Sequence, residues 1–207
     1  MPSLPLSRGM RAVQYFAVAI LAALAVSLPA AANDTTDRLG VSGPIVFDGV
    51  DYVLAWSSNP SPGYFKQEYV PEGQTVESYG SMVLIEVAAG VDVKAALAAQ
   101  VDMLNQRRGS DPLVNMDVIQ NDQTGEAILD FIVSQKDAQG EYIAEWNAYR
   151  YAPHSSGGTE GVLLFAVSHR AYGNDNVRTF LGNLKSARPD QINKIAQHEL
   201  PAANLPR

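Results

Sequence analysis

Three alternating apolar segments, joined by two copies of one turn motif, limit what this chain can fold into more than any other feature. Residues 122–131 (DQTGEAILDF) and 137–146 (DAQGEYIAEW) share the pattern D-x-x-G-E-x-I-x-acid-aromatic, offset by 15 residues. An aspartate followed three residues later by glycine is hairpin-turn chemistry. Two copies are too few for a solenoid, so they read as consecutive turns of one antiparallel meander. Neither copy has the spaced acids and distal glutamate of an EF-hand calcium loop.

Side chains alternate across a sheet, and a one-residue slip moves a whole strand's side chains to the other face. One face is expected to carry Val114, Met116 and Val118, then Ala127, Leu129, Phe131 and Val133, then Tyr142, Ala144, Trp146 and Ala148. This set is almost wholly apolar and calls for a helix to cover it. The opposite face then carries Asp117, Asp130 and Glu145 in a row across three strands, with Tyr149 and Tyr151 beside Glu145 as exposed aromatic contacts. Three neighbouring acids repel unless they are solvated, paired or bound to a cation. The plain reading is a wet outer face, which antiparallel sheets commonly have. The sharper readings are a patch for a cation or basic group, or a general acid/base pair. Ile119, Ile128, Ile132 and Ile143 lie among the acids and point to some cover on this face too.

Elsewhere, residues 45–56 (IVFDGVDYVLAW) predict two short strands around Asp48-Gly49, and 57–63 (SSNPSPG) predict a loop. Tyr64 to Val70 and Met82 to Val87 predict two further strands joined through Pro71-Glu72-Gly73. The first has neither face cleanly apolar, so it is expected at the sheet periphery, with Lys66 guarding an edge. Asp92 is placed to cap a helix over 93–108, with Val93, Leu97, Val101 and Leu104 on one face. Residues 154–161 (HSSGGTEG) predict a flexible loop and 162–167 (VLLFAV) a buried central strand. A last helix is expected over 175–187, stopped by Pro189 and followed by a short terminal helix. The sum is α+β: an antiparallel sheet with a three-strand meander, packed by two main helices. This element order resembles the Mog1/PsbP-like fold. The resemblance covers most of the chain, rests on no motif, and assigns no residue a role.

Compartment follows from the N-terminus. Arg8 and Arg11 precede an apolar run from Ala12 to Leu28, and Ala30-x-Ala32 precedes Asn33. That is the layout of a signal peptide over residues 1–32, and the apolar core is short for a membrane span. Residues 33–43 are expected as a loose leader, 44–200 as one domain, and 201–207 as a disordered tail. The chain has no cysteine, so disulfides and a lipid-modified cysteine are excluded. Without Arg8 and Arg11, 13 of the 15 basic residues remain against 22 acidic ones, a formal charge of −9. Such a chain offers no basic footprint for nucleic acid and does not favour an anionic membrane surface.

No spacing of His154, His169 and His198 makes a metal motif. Ser168 and His169 point to opposite faces of a strand, which argues against a dyad. There is no G-x-S-x-G elbow and no phosphate or cofactor loop. The expected function is therefore a non-catalytic binding or accessory module, exported to the periplasm or beyond. Its partner would be an envelope protein or a small ligand. The alternative is a hydrolase using Asp130 and Glu145 as paired carboxylates.

Overall fold

Tight turns with left-handed backbone set the strand order. The computed structural model describes residues 35–205; the expected signal peptide lies outside them. Asp48 and Gly49 both have positive φ, 50° and 77°. They join strand β1 (Ile45–Phe47) to β2 (Val50–Ser61) as a two-residue hairpin, as the sequence predicts. Gly157 and Gly158 do the same (φ 60° and 82°) between β7 (Tyr142–Ser156) and β8 (Thr159–Tyr172). The expected 154–161 loop is thus only these two residues, with strand on either side. The expected loop at 57–63 also belongs largely to β2. Pro60 sits where the β2 register is already shifted, so its missing N–H interrupts little.

With β3 (Tyr64–Pro71), β4 (Ser81–Ala89), β5 (Asn115–Asn121) and β6 (Glu126–Lys136), the strands form one antiparallel sheet. Its order is β1-β2-β3-β4-β8-β7-β6-β5. The sheet is larger than the expected three-strand meander: two four-stranded meanders meet where β4 pairs with β8. The two D-x-x-G-E motifs do form the β5–β6 and β6–β7 turns, with Gly125 and Gly140 at φ 71° and 82°. β8 is the buried central strand the sequence predicts, with residues 162–167 at most 3 % exposed. β3, expected at an edge, lies between β2 and β4, and Lys66 is partly buried between carboxylates instead of guarding an edge.

Helix α1 (Val93–Arg107) begins where Asp92 Oδ1 accepts the Ala95 N–H at 2.7 Å, the cap read from sequence. It packs Ala96, Leu97 and Leu104 against Leu84, Leu129, Phe131 and Tyr149. Asp111 then clasps the connection to the sheet. It accepts the Ser134 N–H and hydroxyl, both at 2.6 Å, and pairs with Arg107 at 2.8 Å. Helix α2 (Asn174–Gln197) covers the opposite face, where Leu184 and Ile195 meet Ile85, Phe165 and Trp146. It runs through Pro189, where a stop was expected. The Glu141 carboxylate holds the Asn174 N–H and side-chain amide at its start, both at 2.8 Å. Arg150 donates to the Ile195 and His198 carbonyls at its end. Tethered at both ends and packed along one face, the helix tolerates a lost internal bond.

The described parts of the leader and tail are pinned. Gln67, fully buried, accepts the Arg38 and Leu39 N–H groups at 2.6 and 2.9 Å. Leu39 and Ala203 are buried, and the Asn204 N–H donates to the Leu39 carbonyl at 2.7 Å. The leader's polar composition suggested looseness and the tail's terminal position suggested disorder, but the buried amide of Gln67 on β3 supplies the backbone partners that hold the leader.

Candidate functional site

The acid row divides between the two faces of the sheet. On β5 and β6 the expected parity holds: Met116 lies opposite Phe131, and Asp117 opposite Asp130. On β7 it is off by one. Asp130 lies opposite Ala148, Ile132 opposite Trp146, and Val133 opposite Glu145. Trp146 and Ala148 therefore face α2 alongside Asp130. Glu145, Tyr149 and Tyr151 face α1. The physical reason is that β7 is apolar on both sides, so its alternation carries no mark of which side a given helix covers.

Each half of the divided row is bound by its own arginine. Asp130, 1 % exposed, accepts the Trp146 indole N–H at 2.7 Å and the Nε–H of Arg188 from α2. Arg188 also reaches Asp117 at 3.3 Å. One guanidinium thus offsets two carboxylates placed directly across from each other. On the other face, Glu145 accepts Arg170 Nε–H at 2.6 Å and the Tyr79 hydroxyl at 2.7 Å. The Arg170 guanidinium sits 4.0 Å over the Tyr79 ring. Burial works against the Arg170 charge, but Glu145, Tyr79 and Tyr172 together more than offset it and the pKa goes up. Burial, reinforced by Glu145, drives the Tyr79 hydroxyl well above its usual range. Asp130 and Glu145 have the sheet between them, so the paired carboxylates of the hydrolase alternative do not come together.

Tyr149 and Tyr151, expected as exposed contacts, are 3 % and 0 % exposed beneath α1. Burial raises both hydroxyls well above their usual pKa. Nearby, Lys66 bridges Glu68 at 3.0 Å and Glu86 at 3.6 Å, and the Tyr64 hydroxyl donates to Glu86 at 2.8 Å. Burial raises the Glu86 pKa, with Lys66 and Tyr64 opposing it. This is a satisfied ionic cluster, with Glu86 buried and Lys66 and Glu68 partly buried. Ser168 also faces inward on this side, donating to Asn147, while His169 faces the other way. The Ser168–His169 dyad is absent, as strand alternation implies.

The site that sequence reasoning missed is a cleft on the α2 face, of about 200 Å³. The β1–β2 turn brings Asp48, strands β2 and β4 bring Tyr52 and Ser81, β8 brings His169, and α2 brings Gln191. Gln191 Nε2–H donates to Asp48 at 2.9 Å, which fixes the amide's orientation. Lys194 pairs with Asp48 at 2.9 Å and with Asp190 at 2.7 Å. Bonds from Lys194 and Gln191 lower the Asp48 pKa. The Tyr52 hydroxyl donates to Ser81 Oγ at 3.1 Å. His169 stacks on Trp146, rings 5.6 Å apart at 25°, and burial lowers its pKa, so the imidazole is neutral near pH 7. His169 Nε2 and Gln191 Oε1 are buried and have no hydrogen-bond partner among the described residues. The sequence signal was faint: a histidine just past the apolar run 162–167, next to a tight acidic turn only once the sheet is assembled.

Among the described residues no three histidine, aspartate or glutamate side chains gather to hold a metal ion. No helix among them is long and apolar enough to cross a membrane. A family model matches residues 39–200, most of the chain, and the chain belongs to that family. No curated protein and no solved structure matches it.

Proposed function

We propose that this family member is an exported, non-catalytic binding module of the cell envelope that takes a small polar ligand in the His169 cleft. The observation that carries the reading is the pair of unpartnered buried atoms, His169 Nε2 and Gln191 Oε1, beside Asp48, Tyr52 and Ser81. Each such atom costs about 1–3 kcal/mol while unbonded. A ligand offering N–H or O–H donors to Gln191 Oε1 and Asp48 recovers part of that cost. The cleft, about 200 Å³, is below the roughly 300–1,000 Å³ of drug-sized sites, so the ligand has few heavy atoms. The carboxylates that sequence reasoning set aside for hydrolysis are each engaged by arginine, which supports binding over acid–base chemistry. Export rests on the charged, apolar and small-residue layout of residues 1–32. We also propose that the likeness in element order to the Mog1/PsbP-like fold extends to the architecture, with no role transferred to any residue.

Native mass spectrometry of the protein, purified gently from its own envelope fraction, tests both parts. The expected result is a chain beginning at Asn33 that carries a reproducible small adduct. The adduct should be lost in a folded Ser81→Ala/His169→Phe variant. A bare protein, together with a His169→Leu variant that is more stable than the parent, would mean that the cleft is only an imperfectly packed seam. A chain retaining residues 1–32 would overturn export by cleavage.

A further inference from the structure

The two edges of the sheet are guarded very differently. At one end β1 has three residues, with Ile45 and Phe47 buried, and short edge strands resist pairing with another chain. At the other end β5 has seven residues, six of them exposed. Its register against β6 is unbroken from Asn115–Ile132 to Asn121–Glu126, with no bulge to twist the edge away. It contains no proline and no lysine. Val118 and Ile119, on opposite faces, are 44 % and 46 % exposed. Their neighbours on β6, Leu129 and Ile128, are 0 % and 6 % exposed. The apolar stripes of both faces therefore run out to this edge. Such a strand displays a row of unpaired backbone donors and acceptors and is a template for another strand.

We propose that β5 pairs antiparallel with β5 of a second copy of this chain, joining two eight-stranded sheets into one across a two-fold axis at Val118. The occupant follows from charge. Asp117 is the one charged residue of Asn115–Asn121, and Arg188 of its own chain already offsets it. Aligned with its own reverse about Val118, the strand sets Val118 against Val118 of the second copy, Asp117 against Ile119, Met116 against Gln120 and Asn115 against Asn121. No like charges meet. The arrangement is self-complementary and closed, so it ends at a dimer and does not propagate as a fibre. The formal charge of −9 outside residues 1–32 repels the two copies, so salt strengthens the pairing.

Sedimentation velocity of the chain from Asn33 at about 100 µM tests this, a concentration at which micromolar pairing is plainly populated. The expected species is a dimer whose fraction rises with salt. Val118→Lys, which sets two like charges across the axis, should weaken it at least about tenfold. Val118 is exposed, so the fold should survive, and an unchanged melting temperature verifies that. The chain has no cysteine, which makes a single introduced thiol specific. Val118→Cys should cross-link to itself on mild oxidation, while Val46→Cys on the short opposite edge should not. A monomer at every salt concentration overturns the proposal. So does a dimer unaffected by Val118→Lys, or a Val118→Cys protein that cross-links no faster than the Val46→Cys control. A monomer whose β5 instead captures a different extended segment overturns it as well.

Discussion

Arg188→Met removes the only guanidinium among the described residues that reaches Asp130. The carboxylate stays 1 % exposed and, among the described residues, keeps one neutral donor, the Trp146 indole at 2.7 Å. Breaking one side of a fully buried pair costs about 3–5 kcal/mol. Arg188 is itself 23 % exposed, so water reaches the vacated position and reduces the cost to about 2–4 kcal/mol. Asp130→Asn is milder. It keeps an oxygen for Trp146 and leaves Arg188 beside the solvated Asp117, a cost of about 1 kcal/mol. The double variant removes both charges, so its cost should fall well short of the sum, with a coupling energy of about 1.5–3 kcal/mol. Urea unfolding followed by tryptophan fluorescence measures all four corners of the cycle. With a slope of about 2 kcal/mol per molar, Arg188→Met should lower the midpoint by about 1–2 M. A loss below about 0.5 kcal/mol, or additive single and double effects, would show that Asp130 is solvated and not locked. The acid row would then reopen as a candidate binding surface.

Three further perturbations probe the scaffold. Burial alone raises the Asp111 carboxyl, but the Ser134 hydroxyl and N–H, Arg107 and the Leu113 N–H together hold its pKa below the usual range. Its folded pKa therefore lies below its unfolded one. The stabilisation is complete above about pH 4 and is lost as pH falls through the folded value, so Asp111→Ala should cost about 1–3 kcal/mol at pH 7 and flatten the acid limb of a stability–pH curve. A Cβ on Gly161 would meet the Ala88 carbonyl oxygen at 2.4 Å, at the junction of the two meanders, so Gly161→Ala should destabilise by about 1–3 kcal/mol or more in a thermal melt. Pro189 is exposed inside α2, so Pro189→Ala loses no packing, restores a helix bond and should stabilise by about 1–3 kcal/mol; a fall in melting temperature would show that the proline sets a bend the packing needs.

Much of the architecture was legible because local chemistry leaves no second option. Asp48-Gly49 and the paired D-x-x-G-E motifs can only turn, Asp92 caps a helix whatever surrounds it, and a strand as apolar as 162–167 belongs in the centre. Elements decided by distant partners were misread. Residues 57–61 and 154–156 look like loops until a neighbouring strand accepts their hydrogen bonds. The segment after Pro189 looks like a new helix until Arg150 and the sheet hold it in line. Residues 37–41 look loose until Gln67, on β3, offers its amide.

The expected shared face of the site residues failed for a more general reason. Alternation reports which face a residue occupies only when one face is wet. Here α1 and α2 cover both, so Trp146 and Ala148 on one side of β7 are as buried as Tyr149 and Tyr151 on the other. A slip of one residue then costs nothing in hydrophobic pattern, and the sequence cannot register it. What does fix the parity of β7 is polar. Glu145 must meet Arg170, and Asp130 must meet Arg188, which lies 58 residues away on α2. An acid on a two-sided buried strand is thus better read as half of a salt bridge awaiting its partner than as a free group. By the same logic, the informative polar atoms in such a fold are those still unpaired after assembly; among the described residues eight buried side-chain atoms are, and His169 Nε2 and Gln191 Oε1 are the two whose residues line the cleft.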